Sequence, residues 1–218
     1  MTKIFKQLAR HWAACLAVAA LLIVQAYCDL SLPDYTSKIV DVGIQQGGIE
    51  SSVPYTVRDT TLQALELLMT EDEAALADQW YSGPDADGLR YLSKDADTAA
   101  AELESAFTTP DVVLYMAAAQ NAARVAGSTE TVTPTIYDLD AVSQQFAAMA
   151  QAPGAREMLQ NQLAGALSQL DGTVADNLAS QAVLLVSLEY EAQGIAHDVQ
   201  IAYLLRIGGQ MLGLTLLM

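Results

Sequence analysis

The sequence predicts an all-α fold and a membrane protein fragment, on three observations. Apolar runs lie near both ends of the 218-residue chain. The region between them is acidic and rich in Ala, Leu, Gln and Glu, which favour helices. The alternation of β-branched and polar residues that is typical of half-buried strands is scarce. We therefore predict a first transmembrane helix, a helical extracellular domain and the start of a second transmembrane helix.

Charge is segregated along the chain. The mean hydropathy is positive (+0.24) although the net charge is −16. All 26 Asp and Glu residues lie between Asp29 and Asp198, with six Lys and Arg in the same span, so this region carries a charge of −20. A surface this acidic repels phosphate backbones, which argues against nucleic acid as a partner.

The first apolar run starts at Trp12 and follows a basic head. A membrane helix needs about 20 mostly apolar residues, so we place the first transmembrane helix at residues 12–30. A cleaved signal peptide is the alternative, but Ala26, Tyr27 and Cys28 do not form a good small-x-small cleavage site. We therefore favour a retained helix that lies in the lipid bilayer.

The orientation follows from the positive-inside rule. Lys3, Lys6 and Arg10 place residues 1–11 in the cytoplasm, and residues 31–200 outside the cell. The predicted localisation is therefore the cell membrane, with more than one span.

The final run, residues 201–218, is predicted to be the second transmembrane helix. It ends without a polar anchor, so we expect it to be truncated and the chain to be the N-terminal fragment of a longer protein. Polar side chains within a membrane are costly and usually functional. Gln25, Arg206 and Gln210 are therefore the candidate intramembrane polar residues, with snorkelling to the headgroups as the simpler explanation for Arg206.

Helix signals cover most of the region between the spans. Thr70 and Glu73 predict a capping box. Pro110 is expected to start a helix that Gly127 ends. After Gly172 the chain has no proline, so we expect one nearly continuous helix from Thr173 into the second span.

No motif for catalysis, a cofactor or a metal is found. In "DADG" the EF-hand pattern counted from Asp85 fails, because positions five and twelve are Leu89 and Ala96. No phosphate-binding loop occurs, and no Ser, His and acid set is placed for nucleophilic catalysis. We therefore predict that this chain alone is not an enzyme and does not bind ATP.

The stretch that follows the first apolar run carries a resemblance. "LPDYTSKIVDVGI" resembles the pattern after the first transmembrane helix of bacterial ABC exporters, the multidrug type with fused permease and ATPase. Glu189–Leu212 looks like the entry to the second helix in a branch with an enlarged first extracellular loop. The residues that fit the first pattern are Leu32, Pro33, Tyr35, Ser37, Ile39, Val40, Asp41, Gly43 and Ile44. Pro33 is expected to reshape the helix exit, and Ile39, Val40 and Ile44 to form an apolar face for neighbouring helices.

This resemblance implies an ATP-driven exporter subunit that moves drug-like, lipid or peptide substrates out of the cell. It implies pairing with a second ABC half-transporter subunit, often a non-identical one. ATP and Mg are then expected in a nucleotide-binding domain that this chain lacks. The exported substrate is not indicated by the sequence.

Two other functions fit the same pattern. A two-span membrane sensor with a helical ligand-binding ectodomain would have the same topology over these residues. A secreted acidic helical binding protein would require cleavage near Cys28 and would leave the final apolar run unexplained.

Overall fold

The computed structural model describes residues 12–128, 130, 132–152, 154–167 and 175–217. The predicted cytoplasmic segment 1–11 and the predicted helix start at Thr173 lie outside these residues. The described part of the chain is predominantly helical, with two three-residue strands. The all-α class is therefore confirmed, while the strands were not predicted.

The chain forms two compact units. One, which we call the helix pair, comprises Met1–Gly48 and Gln200–Met218, and the other, the inserted domain, comprises Ile49–Val199. The helix pair contains α1 (Trp12–Lys38), a π-helical segment (Ile39–Gln45) and most of the last helix, α8 (Ala196–Leu217).

The inserted domain contains two short strands and six further α-helices among the described residues. The strands are β1 (Thr56–Arg58) and β2 (Leu89–Tyr91), and a 3₁₀ helix (Lys94–Ala99) precedes α4. The helices are α2 (Asp59–Leu68), α3 (Glu71–Trp80), α4 (Ala100–Ala126), α5 (Ile136–Ala150), α6 (Ala155–Leu167) and α7 (Ala175–Ala192).

The core of the inserted domain is built around α4. This helix packs against α7, α5 and α2, and α2 in turn packs against α5 and α6. The strands pair antiparallel, with Thr56 opposite Tyr91 and Arg58 opposite Leu89. The largest fully buried apolar side chains are those of Phe107, Leu62, Leu65, Met69, Leu103, Leu114, Leu139 and Leu185. Burial of these side chains gives the domain its stability, because the described chain contains no disulfide.

Two prolines lie inside helices, contrary to expectation. Pro33 lies within α1 and Pro110 within α4. Each removes one backbone hydrogen bond, which costs about 3 kcal/mol in a helix interior. Around Pro110, buried residues on both sides, including Phe107 and Leu114, hold α4 in one piece. The prediction that Pro110 starts a new helix is wrong, because packing outweighs the local cost.

The first helix also extends further than expected. We predicted its end at residue 30, but α1 continues to Lys38 and then, as π-helix, to Gln45. The chain leaves the helix at Gly47 and Gly48, before the inserted domain begins at Ile49.

The predicted continuous helix from the inserted domain into the second span is wrong. It is interrupted between α7 and α8 at Gly194, whose φ is +74°. The amide of Ile195 donates to the carbonyl of Tyr190 (2.9 Å) and that of Gly194 to Glu191 (3.0 Å). These two bonds are those of a Schellman motif. Because glycine adopts positive φ without steric cost, Gly194 ends the helix here.

One helix in the described ranges is long and apolar enough to cross a membrane. It is the run Trp12–Gln45, near the N-terminus, and its apolar side chains are almost all exposed. The second predicted span, residues 201–218, lies largely on α8 and stays a prediction.

Candidate functional site

The two helices of the helix pair come into close contact at Gly43. The side-chain amide Nε2 of Gln200 donates to the carbonyl of Gly43 at 2.9 Å. A Cβ added at Gly43 would lie 2.6 Å from Cδ2 of Leu204 and 3.5 Å from Cδ1 of Tyr203. The end of the Leu204 side chain would have to shift for alanine at this position, and a bulkier side chain would also meet Tyr203.

Of the apolar residues of "LPDYTSKIVDVGI", Val40 and Ile44 are 42% and 61% exposed and Ile39 is half-buried. The predicted apolar face for neighbouring helices therefore stays a prediction. Asp41 accepts hydrogen bonds from Ser37 (2.5 Å) and from Gln45 (3.4 Å) on the same helical run. The contact surface toward α8 is the backbone at Gly43.

The three predicted intramembrane polar residues are not gathered into one site. Gln25 is exposed on α1, and at ~1.5 Å per residue it lies roughly 27 Å before Gly43. Gln210 is exposed on α8. Arg206 places its guanidinium 5.5 Å from the ring centroid of Tyr203, a cation–π distance. Arg206 alone is therefore near the Gly43 contact, one turn beyond Tyr203.

A second polar feature joins the start and the end of the inserted domain. Glu189 on α7 has a side chain that is 2% exposed. Its Oε1 accepts from the backbone amide of Arg58 (2.8 Å) and from Nε of Arg58 (3.0 Å), and its Oε2 accepts from Nη2 of Arg58 (2.9 Å) and from the hydroxyl of Thr61 (2.9 Å). We call this group the Arg58–Glu189 clamp.

Further contacts extend the clamp. Nη1 of Arg58 also pairs with Asp140 on α5. Burial lowers the pKa of Arg58, but the hydrogen bonds and charges of Glu189 and Asp140 outweigh burial and raise it above its usual value. The Tyr190 hydroxyl accepts a hydrogen bond from the amide of Tyr55 at 2.9 Å, and the centroids of the two tilted rings lie 4.9 Å apart. The clamp is thus structural: it fixes α7 onto the segment that enters the domain.

A buried carboxyl group lies deeper in the same domain. Asp111 on α4 is fully buried, and neither side-chain oxygen has a hydrogen-bond partner in the described part of the chain. Burial, and then the nearby charges of Glu104 and Glu189, raise the pKa of Asp111 well above its usual value. Burial therefore favours the protonated, neutral form of this carboxyl group.

A cleft of about 830 Å³ is formed by α2, the start of α3, α5, α6 and the turn between α5 and α6. We call it the Glu66 cleft. Its charged lining residues are Glu66, Glu71, Glu157 and Arg156, and its amide side chains are Gln63, Gln151 and Gln160. The cleft is open to solvent on one side, as a binding site for a small molecule must be.

Glu66 is the perturbed residue of this cleft. Burial, together with the charges of Asp78 and Asp59, raises the pKa of the Glu66 carboxyl to about 7, although Arg90 and Arg156 oppose this shift. Its Oε1 is buried and has no hydrogen-bond partner among the described residues. Perturbed titratable groups in clefts are typical of functional sites.

The acidic loop after α3 has a structural role. Oδ1 of Asp85 accepts the backbone amides of Asp87 and Leu89, both at 2.9 Å, and Oδ2 accepts the hydroxyl of Tyr91 at 2.9 Å. The carboxylate therefore closes the turn that leads into β2. These bonds give the Asp85 carboxylate a structural role in this loop.

Sequence reasoning missed Glu66, Glu189 and Asp111. A signal was present, since Glu66 and Glu189 are single acids within largely apolar stretches, "ALELLM" and "LLVSLEY", and Asp111 precedes "VVLYMAAA". A charged residue at a position that the helical period assigns to the core indicates a buried ionisable group.

Comparison with known proteins adds nothing to these features: no protein-family model, characterised protein or solved structure matches this chain.

Proposed function

We propose that this chain is the N-terminal membrane and extracellular part of an ATP-driven ABC exporter subunit. The contact between Gly43 and Gln200 carries the proposal. It brings the first helix and the last helix together at the two points where the chain leaves for the inserted domain and returns from it. The inserted domain is then an enlarged loop between the first two membrane helices, as the resemblance at both junctions implies.

The surface of α1 supports the membrane part of the proposal. Its exposed side chains include Trp12, Leu21, Ile23 and Leu30, which is 75% exposed. Soluble monomers rarely expose so long a continuous apolar surface. At ~1.5 Å per residue the helix is roughly 40 Å long, more than the ~30 Å hydrocarbon core of a bilayer. Lipid, or neighbouring membrane helices, would cover this surface.

The basic residues before the first span support an extracellular inserted domain. This region carries nearly all the acidic residues, and the basic residues Lys3, Lys6 and Arg10 precede the first span. In the proposed subunit a second half-transporter pairs with the membrane helices. ATP and Mg²⁺ act at a nucleotide-binding domain that these residues do not include, and the exported substrate is open.

Two measurements test the proposal. The first is the coding sequence that follows Met218, which we expect to encode four further apolar spans and a G-x-x-x-x-G-K-[ST] motif. A dimerisation helix followed by a kinase domain would show a sensor instead.

The second measurement is topology. Ala86 is exposed in the loop between α3 and β2, so a cysteine in Ala86→Cys should react on intact cells with a membrane-impermeant maleimide. Unsubstituted protein corrects for reaction at the two native cysteines, and Thr2→Cys should react after lysis alone. The reverse pattern would place the inserted domain inside the cell and exclude the proposed exporter topology.

A further inference from the structure

The Glu66 cleft contains two opposite charges that the protein does not fully satisfy. Oε1 of Glu66 and Nε of Arg156 are both buried, and neither has a hydrogen-bond partner within the described ranges. Arg156 instead donates through Nη2 to the backbone carbonyl of Glu66 at 3.1 Å. The described side chains form no ion pair between the two residues. Buried polar groups are nearly always paired, so this arrangement is unusual.

The neighbouring charges cannot complete the set. Arg90, the other cation near Glu66, is held by Asp59 (2.6 Å) and Asp78 (3.2 Å). Those two carboxylates add repulsion at Glu66. An added cation beside Glu66 would therefore gain attraction without displacing an existing partner.

The remaining lining sets the net charge of the site. Glu71 and Glu157 lie on the exposed side of the cleft. With Glu66 ionised, three carboxylates face one guanidinium, so the cleft favours a ligand with a net positive charge that also carries an acceptor for Arg156. The amides of Gln63, Gln151 and Gln160 can bind further polar groups of such a ligand.

We propose that the Glu66 cleft binds a small amphoteric cation of the basic amino acid class, with an ammonium group on Glu66 and a carboxylate on Arg156. A second cationic group of the ligand lies toward Glu71 and Glu157. The α-ammonium and α-carboxylate of an amino acid are adjacent, and so are Glu66 and Arg156. This inference does not depend on the exporter proposal, since it concerns the inserted domain alone.

Isothermal titration calorimetry of the full chain in lipid nanodiscs at pH 8 tests the proposal. L-lysine is the probe, since it carries both ammonium groups and the carboxylate. L-norleucine lacks the second cation and cadaverine lacks the carboxylate. We expect L-lysine to bind at least tenfold more tightly than either, because each of the two omits one of the charges that the cleft recognises.

Matched variants locate the site. Glu66→Gln and Arg156→Gln should each weaken L-lysine binding at least tenfold, and Glu71→Gln by a smaller factor. Glu102→Gln and Arg124→Gln make the same charge changes at exposed positions on α4 and should leave affinity within twofold. Circular dichroism melts of all variants identify any loss of affinity that comes from unfolding.

Acidity provides an independent readout. The groups facing Glu66 are Asp59 on its own helix, Asp78 on α3, Arg90 on β2 and Arg156 on α6. With a pKa of about 7, roughly nine-tenths of Glu66 is ionised at pH 8 and one-tenth at pH 6. L-lysine keeps its charge in this range, so wild-type affinity should fall roughly tenfold while that of Glu66→Gln stays flat. No binding of L-lysine at millimolar concentration, or binding that neither Glu66→Gln nor Arg156→Gln weakens, would overturn the proposal.

Discussion

Arg58 and Glu189, which lie near the start and the end of the inserted domain, form a buried ion pair with two hydrogen bonds, Nε to Oε1 at 3.0 Å and Nη2 to Oε2 at 2.9 Å. The pair fixes the last helix of the domain onto its first strand. Because the chain enters and leaves the domain near these residues, the clamp holds the two ends of the domain together.

Loss of one clamp charge should destabilise the domain strongly. Glu189→Gln leaves the partly buried Arg58 guanidinium with Asp140 as its counterion. Breaking a fully buried pair costs about 3–5 kcal/mol, which sets the upper limit of the expected loss. Glu191→Gln, two residues further and exposed, makes the same change and should cost less than about 0.5 kcal/mol. Urea unfolding of the full chain, followed by tyrosine and tryptophan fluorescence, measures both. Equal midpoints for the two variants would show that the pair contributes little.

Glu66 should make stability depend on pH. Its folded pKa of about 7 lies above the usual value of 4.5, so the folded state holds a proton that the unfolded state has released. Stability is therefore lost as pH rises from about 4.5 to 7. Glu66→Gln removes this loss, so relative to wild type it should gain about 1 kcal/mol between pH 4.5 and pH 8, a figure reduced for the partial exposure of the group.

The check is thermal unfolding of wild type and Glu66→Gln at pH 4.5, 6 and 8. Glu102→Gln serves as the control because Glu102 is exposed. If the difference in melting temperature between Glu66→Gln and wild type were the same at all three pH values, a raised pKa of Glu66 in the folded domain would be ruled out.

Asp111 should have an effect of the same sign. Burial first, and Glu104 and Glu189 second, raise its pKa, so the folded state keeps the proton after the unfolded state has lost it. Rising pH therefore destabilises wild type until the folded group ionises. From pH 4 to pH 9, Asp111→Asn should therefore gain stability relative to wild type.

Guanidinium unfolding across that pH range measures the gain. Asp97→Asn, at an exposed position before α4, should show no comparable trend. A relative stability of Asp111→Asn that falls with pH would mean that the carboxyl is ionised in the folded domain.

Gly43 should tolerate no bulky side chain. The Cβ of Gly43→Ala meets the mobile end of Leu204, which can shift, so we expect a small cost. The branched side chain of Gly43→Val also approaches Tyr203, and overpacking of this kind costs about 1–3 kcal/mol. Gly209→Val is the control, since a Cβ there meets nothing within 4 Å. In thermal melts in nanodiscs, Gly43→Val should have the lowest melting temperature of the three variants. An equal decrease for Gly209→Val would show that the contact at Gly43 has no special role in stability.

Local signals in the sequence predicted part of the fold correctly. The capping box of Thr70 and Glu73 is present, and α4 ends at Gly127 in the left-handed conformation. Both features involve residues within one turn of each other, so they are stable in many tertiary contexts. Pro110 was wrongly expected to start a helix, because a local preference of a few kcal/mol yields to the burial of a long apolar stripe.

The sequence by itself determined the helical class, the segregation of charge and the apolar first helix, since composition and period act through short-range physics. The tertiary structure alone decided which charges are buried and with what partner. Three acids on helices show this. Glu66 lines a cleft, Asp111 lies in the core without a hydrogen-bond partner among the described residues, and Glu189 forms the clamp with Arg58. The three environments differ because of residues far along the chain, such as Arg58 for Glu189. The energy of a charge depends on its burial and on the neighbours that folding brings within a few ångströms.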